Sequence, residues 1–187
     1  MLLTASLSAT LPLSAASHVD VVKMRTENQV NPLGIGTSTP RFSWQITSDR
    51  KGVVQTSYQI LVASSREKLD RNEADLWDSG ERNSDEQLWI PYQGKALLSG
   101  AQAYWKVRIT TNKGKSEWTE PQLFTIGLLG ETKWSGTWIG LEDLQPGEQK
   151  GMHTRLAARY IRKDFAAKGK VKRAVAYVAG LGVYEFY

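Results

Sequence analysis

The feature that most constrains the fold of this sequence is a two-residue period in its apolar side chains. Residues 41–46 (RFSWQI) and 103–111 (AYWKVRITT) both alternate apolar with polar positions. Successive side chains of a β-strand point to opposite faces, so each stretch is predicted to be a half-buried strand. The predicted apolar face consists of Phe42, Trp44, Ile46, Trp105, Val107 and Ile109.

Further strands are predicted between these two and after them. Residues 58–63 form an apolar run typical of a central strand, whereas Pro91 marks residues 88–92 as an edge strand because proline cannot donate to a ladder. Residues 76–80 and 122–126 extend the set to six or seven short strands. Such a set, punctuated by turns over about 100 residues, predicts an all-β sandwich of immunoglobulin or fibronectin III type.

The single predicted helix is short. Residues 64–75 (SSREKLDRNEAD) offer one or two helical turns, with Ser64 or Ser65 as the N-cap. Residues 49–52 are predicted to form a turn, and residues 112–115 a hairpin turn. The NKGKS string that begins at residue 112 lacks the upstream glycine and the following helix of a phosphate-binding loop. Without a long helix, a doubly wound α/β domain is excluded.

The formal net charge of +5 raises nucleic acid as a partner. The basic residues cluster only near residues 155–173, and no groove-reading helix or aromatic RNA-binding motif accompanies them. A solvated basic face is the simpler interpretation, and no nucleic-acid partner is predicted. The cluster consists of Arg155, Arg159, Arg162, Lys163, Lys168, Lys170, Lys172 and Arg173.

Metal and thiol chemistry find little support in the composition. The chain has no cysteine, which excludes disulfides, thiolate catalysis and Cys-based zinc sites. His18 and His153 have no partner at ligand spacing. No catalytic residue, cofactor or metal site is therefore predicted in this chain.

Residues 1–17 (MLLTASLSATLPLSAAS) carry no charged side chain. Ser14, Ala15 and Ala16 suit signal cleavage, although the basic n-region of a signal peptide is missing. The segment is too short and too polar to span a bilayer. It is interpreted as a signal-peptide remnant, which predicts a secreted or periplasmic protein.

The character of the chain changes after residue 128. Residues 19–128 are assigned to the sandwich, and the glycine-rich residues 129–154 to a linker. Strands are predicted again at residues 158–165 and 171–187. Residues 155–187 are therefore expected to form the incomplete start of a second β domain. An unpaired apolar strand edge favours aggregation, and residues 155–187 are therefore predicted to be poorly packed or exposed.

Eight short strings follow one another between about residue 23 and residue 187, and their order and spacing are typical of one protein family. They are RTEN at 25–28, NPLGI at 31–35, PRFSW at 40–44, QTSYQILVAS at 55–64, LWDSG at 76–80, FTIGLL at 124–129, ARYIRKDF at 158–165 and AGLG at 179–182. Together they resemble the N-terminal region of bacterial α-L-rhamnosidases of the family-78 glycoside hydrolase type. The string YWKVR at 104–108, with the turn after it, resembles the penultimate strand of a fibronectin III domain.

The resemblance implies an architecture and an activity for the full protein. In that family a jelly-roll-like β domain follows the fibronectin-like one, then an (α/α)₆ barrel that carries the active site. The implied reaction is inverting hydrolysis of terminal α-L-rhamnosyl groups, which needs a general acid and a general base. No catalytic residue of the barrel can be carried over to these 187 residues.

Two further groups of residues bear on catalysis or sugar binding. The loop carboxylates are predicted to cap turns and solvate the surface, and four tryptophans are predicted to pack in the core or between domains although they could stack on sugar rings. The carboxylates are Asp75, Asp78, Glu81, Asp85 and Glu86, and the tryptophans are Trp77, Trp89, Trp134 and Trp138.

The expected function is that of a non-catalytic, N-terminal scaffold in a secreted α-L-rhamnosidase. Its expected partners are the downstream domains of the parent enzyme and, in the parent, rhamnosylated glycans or glycosides. The alternative is a stand-alone carbohydrate-binding or adhesion module.

Overall fold

The computed structural model describes residues 19–130, 134–140, 147, 158–181 and 183–187. The chain divides into two units, Met1–Ser135 and Gly136–Tyr187. The predicted leader at 1–17, most of the predicted linker at 129–154, and His18, His153 and Arg155 lie outside the described residues. Within the described ranges, no helix is long and apolar enough to cross a membrane.

The first unit is built almost entirely from antiparallel strands and contains one short helix. The elements are β1 (Val19–Thr26), β2 (Arg41–Ser48), β3 (Gln55–Ala63), α1 (Arg66–Asp70), β4 (Trp77–Asp78), β5 (Arg82–Asn83), β6 (Ile90–Pro91), β7 (Gln102–Thr111), β8 (Gly114–Lys115) and β9 (Gln122–Thr125).

The strands form two sheets. One has the order β1-β2-β6, and the other runs β4-β3-β7-β8, with β5 paired to β3 and β9 paired to β7. The predicted edge position of the Pro91 strand is confirmed, because β6 ends the first sheet. The central strand predicted around residues 58–63 is β3, which pairs with β7 in a register that places Val62 opposite Trp105.

The core lies between the apolar faces of the two sheets. The rings of Phe42 on β2 and Trp105 on β7 have centroids 4.4 Å apart, which joins one sheet to the other. Trp105, Val107 and Ile109 are fully buried, as the alternation predicts. Burying each such side chain contributes roughly 1.5–3 kcal/mol. The all-β sandwich expected from the sequence is confirmed.

The described part of the second unit lacks the predicted strands but is exposed, as the sequence analysis predicts. Residues 158–181 and 183–187 contain no strand, so the strands predicted at 158–165 and 171–187 are not formed in this structure. Their apolar side chains are exposed; Tyr160, for example, is 92% accessible. A strand needs hydrogen-bonded neighbours, and a lone pair of strands is marginally stable in water. The domain boundaries predicted at residues 128 and 155 stay predictions.

Candidate functional site

The outer face of the β3–β7 pair carries two cations held against one indole ring. The amine of Lys106 lies 5.2 Å from the ring centre of Trp118, and the guanidinium carbon of Arg108 lies 4.4 Å from it. Lys106 donates hydrogen bonds to the carbonyl of Leu69 and to Oδ1 of Asn72. Burial lowers the pKa of Lys106. With its ammonium enclosed by these groups, Lys106 ties α1 to β7 and offers no nucleophile to solvent.

A serine, a lysine and an aspartate meet at the start of α1. The amine of Lys68 donates to Oγ of Ser64 at 3.0 Å and to Asp75 at 2.6 Å, while the Ser64 hydroxyl donates to Asp75 at 2.7 Å. A serine nucleophile needs a neighbouring base, but here the lysine is a charged donor paired with a carboxylate. The cluster fastens the chain around α1 and does not activate Ser64.

Two of the predicted loop carboxylates accept hydrogen bonds from nearby groups. Asp78 accepts from the backbone N–H of Gly80 at 2.8 Å, and Glu81 accepts from the Ser57 hydroxyl at 2.7 Å. The Ser57 hydrogen bond, and then the charge of Lys115, lower the pKa of Glu81. A glycosidase general acid needs a raised pKa. The pKa of Glu81 is lowered instead. Asp85 and Glu86 lie exposed on the surface.

A groove of about 710 Å³ lies beside the loop that joins β1 to β2. Its base is the turn after β1, where Thr26 and Gln29 bond to each other through both backbone N–H groups. The central residues Glu27 and Asn28 have φ values of 47° and 63°, as a two-residue turn of the primed type requires. The groove is lined by Glu27, Gln29, Pro32, Leu33, Gly34, Ile35, Gly36, Thr37, Thr39, Arg41 and Pro91.

Glu27 and Arg41 form a rigid pair in this groove. Arg41 donates to Glu27 through its backbone N–H at 2.8 Å, through Nε at 3.1 Å and through Nη2 at 2.7 Å. The backbone N–H of Glu27 donates in return to the Arg41 carbonyl at 2.9 Å. The side-chain hydrogen bond from Arg41 lowers the pKa of Glu27, which therefore stays ionised at neutral pH.

Trp89, the residue before β6, contacts this pair through Arg41. The guanidinium of Arg41 stacks on its ring, with Cζ 4.1 Å from the ring centroid. Trp89 has a φ of 59°, a left-handed conformation that costs a bulky residue of order 1 kcal/mol or more. Its backbone N–H donates to Oγ of Ser43 at 3.0 Å, which stabilises that conformation. Even so, Trp89 is 42% exposed.

The four tryptophans that the sequence analysis singled out therefore have different environments. Trp77 is buried against Phe42 and Tyr92, so its predicted core position is confirmed. Trp89 lies beside the groove. Trp134 and Trp138 are exposed outside the sandwich. Within the ranges that the structure describes, no group of three or more His, Asp or Glu side chains could hold a metal ion.

Sequence reasoning missed the pairing of Glu27 with Arg41. Fourteen residues separate them, and no periodic signal links positions at that distance. A usable signal was present in part, because Pro40 marks the start of β2 and residues 27–28 mark a turn before it. Only the register of β1 against β2, with Thr26 opposite Phe42, brings the carboxylate to the guanidinium.

Comparison with known sequences supports the resemblance found in the strings. A curated α-L-rhamnosidase from Formosa agariphila is 35% identical over 186 residues, which cover 91% of this chain and 20% of that protein. One from Alteromonas sp. is 35% identical over 163 residues, which cover 86% of this chain and 18% of that protein. The chain thus spans about a fifth of the length of these relatives.

Solved structures agree with this match. The α-L-rhamnosidase from Streptomyces avermitilis, complexed with L-rhamnose, is 36% identical with a TM-score of 0.62, covering 66% of this chain and 12% of that one. The α-L-rhamnosidase from Dictyoglumus thermophilum is 32% identical with a TM-score of 0.62, and the match covers 70% of this chain and 15% of that one. The sequence model described as the Rha78A-like, N-terminal immunoglobulin domain matches residues 21–130. The chain therefore belongs to the family of Rha78A-like N-terminal immunoglobulin domains.

Proposed function

We propose that this chain is the N-terminal, non-catalytic part of a secreted α-L-rhamnosidase, in which the sandwich serves as a scaffold for the domains that follow. The observation that carries the proposal is the match of residues 21–130 to the N-terminal domain of proteins about five times as long. The parent would hydrolyse terminal α-L-rhamnosyl groups with inversion of configuration. The uncharged leader at 1–17 supports secretion, which fractionation of the expressing cells tests.

The electrostatics of the sandwich support a non-catalytic role. Inversion requires a protonated general acid and an ionised base about 6.5–9.5 Å apart. Glu27, Asp75 and Glu81 all have lowered pKa values because each accepts hydrogen bonds from cationic or hydroxyl donors. Carboxyl groups of this kind do not hold a proton at neutral pH, so none of the three suits the task of protonating a leaving group.

The test is an assay of the 187-residue chain with p-nitrophenyl α-L-rhamnopyranoside. We expect no release of nitrophenol above the rate with heat-denatured chain, while a full-length rhamnosidase run in parallel gives turnover. Turnover by the chain that is abolished in Glu81→Gln or Asp75→Asn would contradict the proposal. Sequencing the coding DNA beyond the Tyr187 codon tests the parentage separately, since the proposal expects an open frame that encodes a helical barrel.

A free-standing carbohydrate-binding module is the second candidate. The observation that favours it is the half-exposed ring of Trp89 beside the polar groove. The two candidates make different predictions about the gene. A module without a hydrolase would have a coding frame that contains no barrel domain.

A further inference from the structure

We propose that the groove lined by Glu27 and Arg41, together with the Trp89 ring that stacks on Arg41, is a binding site for a single α-L-rhamnosyl group. The choice of sugar rests on the proposed function, whereas the existence of the site rests on the geometry of these residues.

The first argument is the exposure of Trp89. Within residues 19–130, Trp44, Trp77 and Trp105 are buried, and Trp118 is half-buried. Among the tryptophans of this range, only Trp89 is largely exposed, at 42%. Its ring is nevertheless held by the Arg41 stack, and its backbone by the hydrogen bond to Ser43. A rigid aromatic ring that stays open to solvent suits a ligand with one apolar face, such as a pyranose ring.

The second argument is the fixed set of polar groups beside that ring. Arg41 and Glu27 are joined by three hydrogen bonds, so neither side chain needs to be ordered when a ligand arrives. The carboxylate can accept from, and the guanidinium can donate to, neighbouring hydroxyl groups of one sugar. The hydroxyls of Thr37 and Thr39 lie on the same groove and add further donors and acceptors.

The third argument concerns the apolar part of the groove. Leu33 is exposed at 77%, and Pro32 and Pro91 line the groove with it. A hexose with a hydroxymethyl group would bring a hydroxyl against these side chains. A 6-deoxyhexose brings a methyl group instead, which matches apolar side chains that line the same groove as the polar partners.

The charges of the site argue against an anionic ligand. The guanidinium of Arg41 is already neutralised by Glu27 in a contact of 2.7 Å. An incoming carboxylate or phosphate would compete with Glu27 and meet its negative charge. A neutral ligand with several hydroxyl groups can instead bind both partners without separating them.

The test is a calorimetric titration of the full chain with methyl α-L-rhamnopyranoside. We expect saturable binding that weakens at least tenfold in Trp89→Ala and in Arg41→Gln. Trp138→Ala removes another exposed tryptophan, outside the sandwich, and should leave the affinity unchanged. Thermal unfolding of each variant establishes that it folds, and Leu33→Ser provides a second groove variant at a surface position.

The role of the apolar wall is tested with methyl α-L-mannopyranoside, which differs from the rhamnoside by one hydroxyl on C6. We expect it to bind several-fold more weakly, and equal affinity would overturn the assignment of a 6-deoxyhexose. Absence of saturable binding by the wild-type chain would overturn the site itself. Binding that Trp89→Ala, Arg41→Gln and Leu33→Ser all leave intact would do the same. Hydrolysis of the nitrophenyl glycoside and the downstream reading frame bear on the proposed function alone.

Discussion

Lys106 shows how a single polar residue is accommodated in the interior of this domain. It lies on the face of β7 opposite Trp105 and Val107, yet only 5% of it is exposed. Its ammonium is satisfied by the carbonyl of Leu69 and the amide oxygen of Asn72. A buried charge is tolerated when hydrogen-bonding partners replace the water that it loses. The alternating side chains of β7 therefore point either into the core or towards α1 and Trp118. Neither face of the strand is fully exposed to solvent.

Asp75 is the residue whose ionisation should be visible in stability. Burial acts to raise its pKa, but hydrogen bonds from Lys68 and from the N–H and hydroxyl of Ser64 outweigh burial and bring the pKa from 3.8 to about 2. A carboxyl group with a lowered folded-state pKa stabilises the protein above its unfolded value, and that stabilisation is lost as the pH falls through the folded value. We expect Asp75→Asn to lower the free energy of unfolding by about 1 kcal/mol at neutral pH.

Urea denaturation at neutral pH and near pH 2 measures this difference. The destabilisation in Asp75→Asn should shrink as the pH falls from about 4 to about 2, because the wild-type carboxyl becomes protonated in that window. Asp85→Asn, on the exposed surface, is the matched control and should change little at either pH. A destabilisation of Asp75→Asn that is equal at both pH values would refute the assignment.

At the scale of elements, α1 is too short to be stable alone. It has five residues, is N-capped by Ser65, and buries Leu69 completely. Isolated helices below about 12–15 residues are marginal in water, so α1 depends on packing. Leu69 packs with Leu61 and Ala63 on the outer face of β3, and the partly buried Tyr104 and Trp118 pack against this second cluster.

Removal of the Leu69 side chain should therefore release the helix. We expect Leu69→Ala to lower the free energy of unfolding by about 2–5 kcal/mol, the range for truncating a fully buried leucine. Leu98→Ala makes the same chemical change at a site that is 73% exposed and should cost less than about 0.5 kcal/mol. Guanidinium denaturation of both variants makes the comparison. Similar losses in the two would contradict a packing role for α1.

At the scale of the whole molecule, the two units differ in how far their apolar side chains are buried. The sandwich buries its large core residues between two sheets. In residues 158–181 and 183–187, side chains such as Phe165, Leu181 and Phe186 are exposed. Exposed apolar segments of high β-propensity favour association between chains.

A chain that ends at Gly130 should therefore be more soluble than the 187-residue chain. It retains every strand of the sandwich and the core residues up to Ile126, so its unfolding temperature should be close to that of the sandwich in the longer chain. Light scattering over a concentration series, with residues 1–130 and 1–187 in the same buffer, measures the difference. Equal monomer fractions at every concentration would show that the exposed residues do not drive association.

Much of the sandwich was predictable because its longer strands alternate apolar and polar residues. Residues 41–46 and 103–111 correspond to β2 and β7 to within two residues at each end, and Ser65 is one of the two N-caps that the sequence suggested. Three strands of the sandwich, β1, β5 and β8, were missed. The strands β5 and β8 have two residues each, which is too few to show a period, and a register shift between Val22 and Arg25 interrupts the alternation of β1. The strands predicted at 158–165 and 171–187 were wrong for this structure, since alternation describes a strand's faces but does not provide its hydrogen-bonded neighbours.

The sequence by itself determined which side chains could share a face, and through this the all-β sandwich and its apolar core. The tertiary structure decided which polar groups meet. Glu27 reaches Arg41, and Arg41 reaches Trp89, only because β1, β2 and β6 are adjacent in one sheet and in one register. The periodicity of a strand is a local property of neighbouring residues, whereas a site assembled from three strands depends on how the sheet pairs them.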